Sequence, residues 1–315
     1  MSQKRRIQIT IVVGLLLIAG SLAVVHRLRA KPAGSTSAPA VRIKGWQAAV
    51  LGAVEGLTEY LPVSSTGHLI LTGRWIGLEN GGGLKNEALD SFNVVIQIGA
   101  ALAVAVLYWR RLQQVGVGLF RGDPDGRRLL GLLIVAFMPA AVVGLALHKR
   151  ITEYLFFPLP VAGALVVGGV VMVGVELYRR RHAPRTTSLD AMTYRQALII
   201  GLAQCLALWP GTSRSMTTIV AALLVGLSPL TAAEFSFLLA LPVLTAAAGL
   251  EVVKDFDKLL LYAGPGAILV GLGVSALVAV LAVEAFVRWV SKHGMTPFGV
   301  YRIVVGLVVY WVLMR

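Results

Sequence analysis

The chain has 315 residues, 57% of them hydrophobic and only 14% charged, with a mean hydropathy of +0.79. No soluble core absorbs so much apolar surface, so a soluble domain is excluded and an all-α polytopic membrane protein is expected. A net charge of +14 would suggest nucleic acid in a soluble protein, but here the basic residues cluster in short connections between apolar runs, where membrane orientation and anionic lipid account for them and no nucleic-acid partner is needed.

Taken in order, Lys4, Arg5 and Arg6 precede an apolar run from Ile7 to Val25, long enough to span a bilayer and long for a cleaved signal peptide. An uncleaved N-terminal transmembrane helix is therefore expected. Residues 30–40 form a Pro-, Ser-, Ala- and Gly-rich linker. The chain thus divides into 1–45, anchor and linker, and 46–315, a membrane-embedded domain with repeat halves at about 46–180 and 195–315.

The stretch Glu55 to His68, EGLTEYLPVSSTGH, puts two carboxylates, three hydroxyls and an imidazole inside an otherwise apolar region. Glu55 and Glu59 are four apart and share a helix face. Like charges at that spacing repel unless a cation or a proton intervenes. Solvation at the membrane surface is the bland alternative, but intramembrane acids are costly and usually functional. A divalent cation, Mg2+ or Ca2+, takes carboxylate and phosphate oxygens together, so Glu55 and Glu59 are candidate metal ligands, with Glu59 also a proton carrier. Pro62 then breaks the helix, and Ser64, Ser65 and Thr66 fall where a new one starts, at a terminus that favours anions. Ser65 is the candidate nucleophile, with Ser64 and Thr66 as caps or phosphate contacts. Attack by water assisted by Glu59 or His68 uses the same residues. His68 titrates near neutrality, as a general acid or base should, or else bonds a helix end.

Apolar runs at 92–109, 130–147 and 160–178 each cross once. Arginines crowd the loops at 110–128 and 179–195, which marks both as cytoplasmic by the positive-inside rule. Next comes WPGTSRSMTT, Trp209 to Thr218, again a proline followed by hydroxyls. It adds Arg214, whose planar fork suits phosphate oxygens, among Ser213, Ser215 and Thr218, which bind substrate or cap. Cys205, the only cysteine, leaves no internal disulfide or cysteine metal site. Runs at 231–250, 264–287 and 298–314 follow. The segments at 46–72 and 196–228 must each enter and leave on one side, so both are read as re-entrant. Aligning Pro62 with Pro210 pairs Ser64 with Thr212 and Ser65 with Ser213. The expected fold is an inverted-topology repeat, with three crossings and one re-entrant helix pair per half, around a polar cavity near the midplane.

From about Trp46 onward the chain resembles the bacterial undecaprenyl-diphosphate phosphatases of the bacitracin-resistance type, which carry EGLTEFLPVSSTGH and PGxSRSGxT. Met216 departs from it, standing where the family has glycine. The resemblance implies a metal-dependent hydrolase of a polyprenyl diphosphate lipid in the bacterial inner membrane, with its site open to the outer side and room for a homodimer. It implies catalytic roles for Glu59, Ser65, His68 and Arg214. The rival reading is a transporter or flippase of a lipid phosphate, which would need an arginine and a cavity but not the clustered acid, hydroxyl and imidazole.

Overall fold

The computed structural model describes residues 42–78, 87–155 and 158–313, so the expected anchor at 7–25 and the linker at 30–40 lie outside the described residues. Among those residues the protein is helical, with one isolated parallel bridge between Thr186 and Leu227. A short helix pair comes first, α1 (Gly45–Thr58) and α2 (Ser65–Trp75), followed by α3 (Glu87–Leu107), α4 (Trp109–Arg121), α5 (Pro124–Leu155) and α6 (Pro158–Arg180). The second half repeats the order with α7 (Tyr194–Gln204), α8 (Arg214–Leu224), α9 (Pro229–Tyr262), α10 (Gly264–His293) and α11 (Thr296–Leu313).

Five of these, within α3, α5, α6, α9 and α10, are long and apolar enough to cross a membrane. The sixth expected run forms α11, apolar but shorter; its 18 residues extend about 27 Å at the usual helical rise. The stretch 110–128 is not the plain loop expected. Tyr108 leaves helical geometry and α4 begins at once, carrying its arginines on a helix that packs on α5.

Both helix pairs are hairpins closed by the same device. Gln47 Oε1 accepts from the Lys44 amide at 2.8 Å while its Nε2 donates to the Ile76 carbonyl at 3.0 Å, tying the start of α1 to the end of α2. Gln196 does likewise, accepting from the Thr193 amide at 2.9 Å and donating to Val225 O at 3.1 Å. Each pair therefore returns to the side it entered. The equivalence continues through Gly77 and Gly226, which both end their helices at positive φ, and through Ser64 and Ser213, at φ 73 and 74. This corrects the expected alignment by one residue: Ser64 matches Ser213 rather than Thr212, and Ser65 matches Arg214. The extra residue is absorbed beyond Pro210 by Gly211, at φ +91, where an added Cβ would lie 2.5 Å from Val161 O; only glycine combines that backbone with that approach.

The pairs enter from opposite ends. The Ile43 amide bonds Tyr262 O at 3.0 Å, which fixes the start of α1 beside the α9–α10 turn. At the other end Arg111 pairs with Asp190 at 3.4 Å and Arg128 bonds the carbonyls of Asp190 and Met192, so the two arginine-rich stretches meet, as the positive-inside reading requires. Closeness comes from missing side chains: an added Cβ at Gly52 would lie 2.5 Å from Gly271 O of α10, and one at Gly201 2.5 Å from Ala136 O of α5.

Candidate active site

Where the two breaks meet, one carboxylate joins both motifs. Glu59 directly follows α1 and is 8% exposed. Its Oε2 accepts from Ser65 Oγ at 2.8 Å, and its Oε1 accepts from Arg214 Nη2 at 3.1 Å. Some 155 residues separate Glu59 from Arg214 in the chain, yet their side chains form an ion pair with only 8% of each exposed. Arg214 also donates to Ser236 O at 3.0 Å and lies over the Tyr60 ring, 5.7 Å from its centroid. Since a guanidinium has five N–H groups, two on its Nη atoms stay available for a phosphate.

Glu55 lies one turn back on α1, fully buried and within electrostatic reach of Glu59 and Arg214. Among the described residues no N–H or O–H donor of another residue type reaches its oxygens, and the Glu59 carboxyl is the group close enough to share a proton with it. A buried carboxylate without donors is expensive, and a bound hard cation or a proton removes that cost. The donors suit such a cation in part: Glu59 is already balanced by Arg214, while Glu55 has no cationic or N–H partner among the described residues. Among the described residues no group of three or more acidic, histidine or cysteine side chains gathers, so diphosphate oxygens and water would complete the shell, as Mg2+ commonly has it.

Ser64 and Ser213 are the only non-glycine residues among those described with positive φ. Such backbone costs on the order of 1–3 kcal/mol and persists where surroundings impose it. Their caps differ. Ser213 Oγ accepts from the Met216 amide at 3.3 Å, whereas Ser64 makes no side-chain cap, so the first amides of α2, beside Ser65, remain free to meet an anion. Thr66, in that first turn, is half-buried and its hydroxyl has no bond to the protein among the described residues.

The other predicted residues hold the scaffold. Ser215 Oγ donates to Leu61 O at 2.8 Å and sits 3.0 Å from Ser213 Oγ, stitching the two breaks together. Thr218 Oγ1 bonds Arg214 O at 2.9 Å and Ser236 Oγ at 2.6 Å, fully buried. Both hydroxyls are thus committed to the protein. His68 is committed too: its Nδ1–H donates to Ser64 O at 2.7 Å, which leaves Nε2 to accept from Tyr301 at 2.8 Å. It supports the strained serine rather than contacting Ser65. Met216 extends onto α6 at Gly168, where an added Cβ would meet its Cε at 2.9 Å, and α8 keeps its cap. The departure from the resemblance is absorbed by packing. The acids and most hydroxyls of the centre are buried, while Thr66, His68, Ser213 and Arg214 are half-buried at its edge.

Arg302 of α11, which lies outside both motifs, is fully buried. It donates to Pro62 O at 3.3 Å, Gly211 O at 3.0 Å and Ala164 O at 3.1 Å. Two of those carbonyls are the breaks of the two motifs, so one guanidinium clamps both. Tyr301 and Ser236 likewise lie outside both motifs.

The chain matches the family described as Bacitracin resistance protein BacA over residues 48–308. It is 51% identical over 273 residues to Undecaprenyl-diphosphatase of Sorangium cellulosum (strain So ce56), covering 84% of this chain and 85% of that protein. It is 48% identical over 263 residues to Undecaprenyl-diphosphatase 2 of Rhodospirillum rubrum, covering 84% and 93%.

Proposed function

The chain belongs to the Bacitracin resistance protein BacA family, and from that premise we propose how its site works: it hydrolyses undecaprenyl diphosphate to undecaprenyl phosphate and inorganic phosphate, recycling the lipid carrier of cell-wall synthesis and giving bacitracin resistance. The observation that carries the chemistry is the chain of contacts Ser65 to Glu59 to Arg214. A nucleophile, its base and the group that orients the base stand in sequence. Ser65 Oγ attacks the terminal phosphorus as its proton passes to Glu59. The bridging P–O bond breaks, and the proton leaves with undecaprenyl phosphate. Water then attacks the phosphoserine; Glu59 takes the water's proton and returns it to Ser65 Oγ as inorganic phosphate departs. Arg214 and the free amides of α2 hold the charge that gathers on the transferring phosphoryl group. A divalent cation, held through Glu55 and the diphosphate, would neutralise further charge.

We place this multi-pass protein in the bacterial inner membrane with the centre opening outward, because α1 and α2 enter from the end opposite the arginines. A transporter would use Arg214 but has no need of a serine hydroxyl aimed at a carboxylate. The test is phosphate release by purified protein in detergent, without any gradient. Glu59→Gln is expected to lower turnover at least about a hundredfold, and a chelator to lower it further in the wild type than in Glu55→Gln. Wild-type turnover in the double variant Glu55→Gln/Glu59→Gln would overturn the mechanism.

A further inference from the structure

At the arginine-rich end, the close of α6, the connection to α7 and the α8–α9 turn enclose a cavity of about 680 Å³. Among the described residues it is lined by Arg179, Arg181, Arg185, Arg195 and His182 and by no acidic residue. Arg179 is held by Glu176 at 2.6 Å. The side chains of Arg181, Arg185 and Arg195 have neither an ion pair nor a hydrogen bond among the described residues. Some basic groups at this end find acids, as Arg111 does with Glu234 and Asp190 and Arg288 with Glu284, and others, such as Arg127 and Arg128, reach backbone carbonyls. The cavity therefore gathers three uncommitted guanidinium groups around one void, a convergence that membrane orientation alone does not require.

The cavity is also built. The amides of Arg185 and Thr186 both donate to Gly226 O, at 2.8 and 3.0 Å, and Ser228 N donates to Thr186 O at 2.8 Å. Gln196 spans Thr186 Oγ1 at 3.0 Å and Val225 O at 3.1 Å. The backbone beneath Arg185 is thus pinned to the α8–α9 turn. The lining is also partly apolar: Ile199 and Leu224 belong to it and are 38% and 51% exposed. Uncommitted cations and exposed apolar side chains in one lining on a membrane-spanning body match one ligand chemistry, a phosphate ester carrying a hydrocarbon tail. Leu223 and Leu224 end α8 whereas Arg214 begins it, so about 15 Å of helix separates this cavity from the reacting centre.

We propose that this cavity binds the phosphate headgroup of a membrane lipid, with Arg181, Arg185 and Arg195 on the phosphate and Ile199 and Leu224 along its first methylenes. This does not depend on the phosphatase reading. The experiment is native mass spectrometry of the full chain in detergent, titrated separately with phosphatidylglycerol, polyprenyl monophosphate, phosphatidylcholine and inorganic phosphate. One of the two anionic lipids is expected to bind at least about tenfold more tightly than phosphatidylcholine, and which one identifies the source. Arg181→Gln/Arg185→Gln/Arg195→Gln should weaken that binding about tenfold or more while phosphate release stays within about twofold of wild type, which also reports that the variant folds. Arg288→Gln, removing a paired charge at the same end, should leave binding unchanged. Equal retention of phosphatidylcholine, undiminished binding by the triple variant, equal loss in Arg288→Gln, or displacement by inorganic phosphate alone without preference for a tail would each overturn the proposal.

Discussion

Arg302 shows how much one side chain determines that no motif records. A buried arginine inside a membrane protein is costly, and here its donors go to three backbone carbonyls instead of an acid. It holds the Pro62 and Gly211 breaks at one spacing, and through them the distance from Ser65 to Arg214. Arg302→Met should lower both thermal stability and turnover. Arg302→Lys is the sharper variant, since an ammonium lacks the planar fork that reaches several carbonyls at once. We expect its turnover to fall at least about tenfold while its unbound fold, followed by circular dichroism, survives. Added guanidinium ion restoring part of that rate would mark a positioning role. Glu55, Glu59 and Arg214 were legible in the sequence because charge in an apolar run is conspicuous. Arg302, also a charge in an apolar run, lies outside both motifs, and only its three carbonyl partners reveal its role.

Among the elements, the two hairpins depend on matched glutamine clasps. Gln47 and Gln196 each use their amide at both ends, so truncation leaves a backbone amide and a carbonyl unpaired. Gln47→Ala and Gln196→Ala should each destabilise by about 1–3 kcal/mol, measured as lower melting temperatures in detergent. Gly52→Ala should do more harm than either, because its methyl would press on the Gly271 carbonyl rather than on a side chain that can turn aside. The helix breaks were legible from Pro62 and Pro210. The one-residue shift between the halves was not, since it lies in Gly211's backbone conformation rather than in any recurring residue.

Across the whole molecule, contact geometry and arginine placement agree on orientation. The stretches at 110–128 and 179–195 touch through Arg111, Arg128 and Asp190, so both must lie on one side of the membrane. Phe120, 85% exposed on α4, is a suitable reporter. In a Cys205→Ser background, Phe120→Cys should react with a membrane-impermeant thiol reagent only after cells are opened. Labelling in intact cells would reverse the orientation and the placement of the centre.

Hydropathy, proline breaks and charge placement were enough to determine an all-helical, multi-pass, re-entrant architecture, because a bilayer leaves a chain few ways to satisfy its backbone. The identities of the acidic and hydroxyl residues were enough to indicate phosphate chemistry. Only the tertiary structure decided which of them act together. Glu59 became the hinge of the site because two hairpins inserted from opposite ends bring Ser65 and Arg214 to its two oxygens, while Ser215, Thr218 and His68 were drawn into holding the breaks. Local sequence fixes where a helix stops; which partner a buried hydroxyl finds depends on residues about 150 positions away, and that is set by packing alone.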